Sequence, residues 1–215
     1  LSGFKNLTGL EQNEIKMKEK EIRLEPGKFY HVYNRGNNRE NLFYNNGNYE
    51  YFLRKYDNYL TDYIDTFAFC LLPNHFHLLV RIKDKDLSGF KNLTGLEKRI
   101  SKQFSNLFNS YAKSINIQQK RVGSLFQRPF KRIEITTTDY LANLVFYIHA
   151  NPQKHKIIDD FRMYPWSSYD RILKNKPSKL NKEEVLEWFS NKDYFIKYHE
   201  QKADIEKIKN MILEA

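Results

Sequence analysis

The chain has 215 residues, 40% hydrophobic and 29% charged, which is enough apolar material for a buried core and excludes a wholly disordered polymer. Its single cysteine, Cys70, excludes an internal disulfide, and no run approaches the roughly 20 apolar residues of a membrane span. The net charge of +10, with 15 tyrosines and 16 phenylalanines, suits a polyanionic partner such as nucleic acid, with phosphates to neutralise and bases to stack.

The segment LSGFKNLTGLE occurs at 1–11 and again at 87–97. A solenoid needs at least three stacked units, so one pair of copies does not indicate a repeat fold. Residues 1–16 are expected to be a duplicated segment outside the fold, with Met17 a possible natural start. In the second copy, Thr94 and Glu97 have capping-box spacing and are expected to open a helix. Residues 28–35 then read as a strand ending at Gly36. Residues 48–61 carry apolar or aromatic side chains at 49, 52, 53, 56 and 60, a helical period. Two apolar runs, 64–72 and 75–82, flank a turn at Pro73 and Asn74. A helix is predicted over 97–116. A strand is predicted over 124–135, where Pro129 implies an edge or a bulge. A helix over 138–151 is expected to be capped by Thr138 or Asp139 and stopped by Pro152. The order is β-α-β-β-α-β, then α. That is an α+β, ferredoxin-like pattern, an antiparallel sheet with helices on one face, followed by a C-terminal tail. Residues 17–158 are expected to form the main domain and 159–215 a partly helical tail.

Within the run LLPNHFHLLV, His75 and His77 leave one face of a strand and Phe76 the other. Two imidazoles side by side are either half of a metal site or a pair of satisfied core histidines. A metal needs further ligands. On the 138–151 helix, Tyr147 and Asn151 lie one turn apart on a common face. Asn151 can offer an amide oxygen and Tyr147 a phenol. Equally, Tyr147 can be an amphipathic tyrosine at the core edge and Asn151 a helix terminator. Cys70, inside FAFCLL, reads as a small buried hydrophobe.

Taken together, FYHVYNRG (29–36), LLPNHFHLLV (71–80), GSLFQRPFKR (123–132), YIHANP (147–152) and YPWSSY (164–169) resemble the single-tyrosine transposases of the HUH class. The similarity is greatest to the REP-associated tyrosine transposases, and it spans about residues 28–170. The resemblance implies a divalent cation, Mg²⁺ or Mn²⁺, held by His75, His77 and Asn151. It also implies that Tyr147 attacks a phosphodiester of single-stranded, hairpin-forming DNA, leaving a 5′-phosphotyrosine link and a free 3′-OH. Many relatives carry glutamine where this chain has the shorter Asn151. The absence of a GxxxxGK[ST] loop agrees with a transesterification that needs no nucleotide.

Arg35, Arg39, Arg128, Lys131, Arg132, Lys154 and Lys156 are the candidate DNA contacts, which as a group would make binding strongly salt-dependent. Phe126, Phe130 and Trp166 are candidates for base stacking or for the core, and Arg121 has no assigned role. A non-catalytic hairpin-binding protein and a nickase of the replication-initiator or relaxase kind are the alternatives. The expected setting is cytoplasmic and nucleoid-associated, without a membrane, as a monomer or a homodimer.

Overall fold

The computed structural model describes residues 22–84 and 93–201. Four strands, β1 (Phe29–Arg35), β2 (Ile64–Leu72), β3 (His75–Ile82) and β4 (Lys131–Ile135), form one antiparallel sheet in the order β2-β3-β1-β4. The crossovers are α1 (Asn46–Leu60) and α2 (Leu93–Gln118), and α3 (Thr138–Lys154) follows β4. This is the ferredoxin-like βαββαβ unit expected from the sequence. Short helices α4 (Tyr169–Leu173), α5 (Lys182–Trp188) and α6 (Lys192–Gln201) complete the described chain.

Both faces of the sheet are covered, which explains why β2 and β3 read as nearly unbroken apolar runs. Register assigns the faces. Phe76, Leu78, Phe69, Val32 and Asn34 share one side, under α1 and α2. There Phe76 meets Phe52 of α1 at 5.4 Å and Phe108 of α2 at 5.8 Å between ring centroids. His31, Tyr33, Arg35, Cys70, His75 and His77 share the other side. The two crossover helices thus lie on one face, as expected, and α3 covers the opposite one, where Tyr147 packs against His77 with centroids 5.6 Å apart. Cys70 is fully buried beneath it. Residues 161–201 close over this second layer, with Phe161, Val185 and Phe195 fully buried in the same core.

Several boundaries differ from the sequence reading. The strand expected over 124–135 begins only at Lys131. Upstream the chain touches β1 at a single bridge, Gly36 to Phe126, two residues out of register with the Tyr33–Lys131 pair, so a bulge spans 127–130 and contains Pro129. Helix α3 runs through Pro152 to Lys154, because a proline in the last turn forfeits only one hydrogen bond. Its N-cap is Thr137, in extended conformation, so Thr138 and Asp139 are already helical. The helix expected to open in the second copy is α2, which begins at Leu93, and Glu97 pairs with Arg132 at 3.5 Å; the Thr94 side chain lies outside the described residues. Residues 1–16 and most of the repeated segment at 87–97 lie outside the described residues.

Candidate active site

The hairpin turn at Pro73 and Asn74 sets the His75 ring. Asn74 Oδ1 lies 2.6 Å from His75 Nδ1, and Asn74 Nδ2 donates to the Arg39 carbonyl at 3.3 Å. The second bond orients the amide, so its oxygen faces the imidazole and Nδ1–H is the donor. That leaves the lone pair of His75 on Nε2, a buried atom without a hydrogen-bond partner. Two residues along β3, His77 Nδ1 lies 3.0 Å from His31 Nε2 of β1, and the two rings stack at 5.2 Å. His31 and Tyr33 thus flank the histidine pair from the neighbouring strand.

Helix α3 supplies the facing wall. Tyr147 sits over His77 and also meets the His31 ring edge at 6.1 Å. Two turns later, His155 at the helix end meets the His75 ring at 4.7 Å. Asn151 lies on the turn between them and is fully buried. Its Nδ2 donates to the Tyr147 carbonyl at 2.7 Å, while its Oδ1 is buried without a partner. Lys154 Nζ stands 5.2 Å from the centre of the Tyr147 ring.

The electrostatics favour neutral imidazoles. Burial holds His31 and His75 down at about 3, and the His155, Arg35 and Lys154 charges add to the effect at His75. His77 lies well below its ordinary value, first through burial and then through repulsion by His31 and its other neighbours. Neutral rings keep the lone pairs that coordinate metals. Among the described residues no three His, Cys, Asp or Glu side chains gather into a cation site. Two imidazoles and an amide are donors of a kind that fits a divalent cation, and His75 Nε2 and Asn151 Oδ1 are buried with no hydrogen-bond partner among the described residues.

Beside the histidines opens a cavity of about 220 Å³ lined by Tyr33, Arg35, Arg39, His75, His77 and Lys131, together with Asn34, Phe76 and Gln127. Arg35 Nε is buried there with no acceptor, and Lys131 Nζ lies 5.7 Å over the Tyr33 ring. Gly36 closes the turn that presents Arg39, where a Cβ would meet the Glu40 carbonyl oxygen at 2.1 Å.

No family model matches the chain. It is 30% identical, over 155 residues, to a Haemophilus influenzae protein provisionally named REP-associated tyrosine transposase, an alignment covering 65% of this chain and 84% of that protein. The chain belongs to the REP-associated tyrosine transposase family. A solved REP-associated tyrosine transposase bound to a REP hairpin shares its fold, with a TM-score of 0.53 at 19% identity over 73% of this chain and 86% of that one.

In this family member, not every residue singled out from the sequence lies at the site. Arg35, Arg39 and Lys131 line the histidine cavity, and Lys154 stands by Tyr147. Arg128 is exposed on the α2 side, where it donates to Asn109 at 3.2 Å. Arg132 is on the opposite face of the sheet from the histidines. There it donates to the Ile22 carbonyl at 2.5 Å and pairs with Glu97, so it is a strut between layers. Lys156 is exposed in the turn after α3, with φ of 56°. Arg121 pairs with Glu40 and with Asn116. Of the three aromatic candidates, Phe126 is buried, Phe130 packs on Phe104 at 4.9 Å, and Trp166 stacks flat on Tyr49 at 4.5 Å. Sequence reasoning missed His31, Asn74 and His155. His31 shares the odd-numbered face of β1, but only strand pairing reveals that this face meets His77. His155 continues the Tyr147–Asn151 stripe by one more turn, a signal hidden behind the expectation that Pro152 ends the helix.

Proposed function

We infer that this transposase-family chain nicks and joins single-stranded, hairpin-forming DNA, with Tyr147 as nucleophile. The carrying observation is that two buried acceptors without protein partners, His75 Nε2 and Asn151 Oδ1, lie on the same two facing elements as the Tyr147 phenol. His75, His77 and Asn151 would hold a divalent cation, Mg²⁺ or Mn²⁺. When bound, that cation supplies charge neutralisation and Lewis acidity at the phosphate. Asn74 fixes the His75 tautomer and His31 orients His77, each from the ring's far side. Arg35, with a buried Nε–H that has no acceptor, and Lys131 supply positive charge where a phosphate enters.

The Tyr147 oxygen attacks phosphorus and the P–O3′ bond breaks. The phenol loses its proton and the departing 3′ oxygen gains one, giving a 5′-phosphotyrosine and a 3′-OH. Attack by another 3′-OH reverses the sequence and joins strands, so the bond energy is retained and no nucleotide is consumed.

The test is a denaturing-gel assay for a covalent adduct on hairpin DNA with and without Mn²⁺. Tyr147→Phe is expected to lower adduct formation on the order of 10³-fold or more while leaving hairpin affinity little changed. A metal-independent adduct, or one that persists in Tyr147→Phe, overturns the assignment. A salt-sensitive gel shift with no adduct in the parent chain leaves a hairpin-binding protein in its place.

A further inference from the structure

A second concavity, about 660 Å³, lies on the α2 side of the sheet, between α2 and the 123–130 segment. Its α2 wall is a stripe of Ser101, Ser105, Asn109, Lys113 and Asn116, a run of about 22 Å at 1.5 Å per residue. Its other wall is the bulge that precedes β4, including Gln127 and Arg128. Asn34 and Gln127 line this groove and also the histidine cavity, so the two concavities share a wall. They meet where the bulge leaves β1: Gln127 N–H still donates to the Arg35 carbonyl at 2.9 Å, and regular pairing resumes only at Lys131.

Three features give the groove a ligand chemistry. No Asp or Glu stands among the described residues lining either concavity. Arg35, Arg39 and Lys131 are on the cavity side, and Lys113 and Arg128 on the groove side. Arg132 also lines the groove, but Glu97 takes its charge. Asn34, only 5% exposed at the shared wall, has an Nδ2 without a partner while its Oδ1 accepts from the Arg35 N–H at 2.8 Å. A donor in such a position lacks an acceptor that a base edge or phosphate oxygen would supply.

We propose that this groove is a binding site for single-stranded DNA continuous with the strand at the histidine cavity, so that the strand passes from one side of the sheet to the other at Asn34 and Gln127. The proposal rests on the nicking-and-joining reading and names where the unpaired flank of the substrate runs. Lys113 and Arg128 hold its phosphates, and Asn34 reads the turn between the two compartments.

The experiment measures binding by fluorescence anisotropy in EDTA, in full-length Tyr147→Phe chain, with two probes: a hairpin with single-stranded flanks and the same hairpin with none. Lys113→Ala with Arg128→Ala is expected to weaken the flanked probe on the order of tenfold at 0.1 M salt and to reduce its salt slope by about 1.4, leaving the bare hairpin unchanged. Ser105→Glu, on an exposed helical face, places an anion in the groove and is expected to act in the same direction with the fold intact by circular dichroism. Equal weakening of both probes, or of neither, overturns the groove. The adduct assay is independent: an adduct with no flank effect removes the groove alone, and a flank effect with no adduct removes the enzyme reading alone.

Discussion

Asn74 is not among the proposed metal ligands, yet the whole assignment of the His75 ring depends on it. Its amide is fixed from behind by the Arg39 carbonyl, and the amide fixes which imidazole nitrogen carries the proton. Removing it frees His75 to take either tautomer and to rotate. Such outer partners typically account for 10–100-fold in metal affinity. Asn74→Ala is therefore expected to weaken Mn²⁺ binding, titrated calorimetrically, by about that factor. Asn74→Asp, which keeps the acceptor, is expected to retain most of the affinity. If the two variants bind Mn²⁺ alike, the turn has no hold on the ring and its role is only that of a hairpin corner.

At the scale of elements, α3 is held from behind by a buried polar chain. Ser168 Oγ accepts from the Phe69 N–H of β2 at 2.9 Å and lies 2.7 Å from His149 Nε2. His149 Nδ1 lies 3.0 Å from His199 Nε2 of α6, and His199 Nδ1 donates to the Phe195 carbonyl at 2.8 Å. Neutral rings satisfy every link in one direction. Burial lowers His199 to about 4 and His149 well below its ordinary value, the latter aided by the His199 charge. A histidine near 6.5 when unfolded and near 4 when folded binds more protons unfolded, so its contribution is complete above pH 6.5 and is lost as pH falls. One such group removes about 1.5 kcal/mol between pH 6.5 and 5. His199→Phe fills the same aromatic surroundings, Phe146, Phe189 and Phe195, but cannot titrate. It is expected to be less stable at pH 7.5 by about 1–3 kcal/mol, because His149 loses a partner, and to show a shallower loss on acidification in urea melts. Parallel pH curves for the two proteins would contradict this account.

The same elements show what was legible from sequence. β2 and β3 were readable to the residue because continuous apolar runs and a Pro-Asn turn leave no other solution, and His75 and His77 came with them. The strand over 124–130 was misread because its aromatics are anchors: Phe126 packs on Phe108 at 5.0 Å under α2, outside any ladder. Periodicity reports that a side chain is buried, without saying against what. Pairing between distant strands was equally hidden, and with it His31, the sidedness of Arg132 and the groove.

For the whole molecule, the proposed chemistry makes the chain that supplies Tyr147 a testable point. Within one chain α3 packs directly on β2 and β3, Tyr147 meets His77, His155 meets His75, and Asn151 is buried on the turn between them. The helix is bound on its other side by α6, through His149–His199 and through Tyr198 to Asn143 at 2.5 Å. Exchanging α3 between two copies would require breaking both layers, including fully buried Phe146, Ile148 and Phe161. If the proposed site draws all its residues from one chain, a mixing experiment has a definite outcome. Tyr147→Phe, which keeps the histidines, and His75→Ala with His77→Ala, which keeps the tyrosine, are each expected to be inactive in the adduct assay. Mixed and incubated together they should remain inactive, since no intact pair of half-sites can form without moving α3. Recovery of adduct in the mixture, on the tyrosine-bearing chain, would mean that the helix crosses between subunits and that the contacts behind it open in solution.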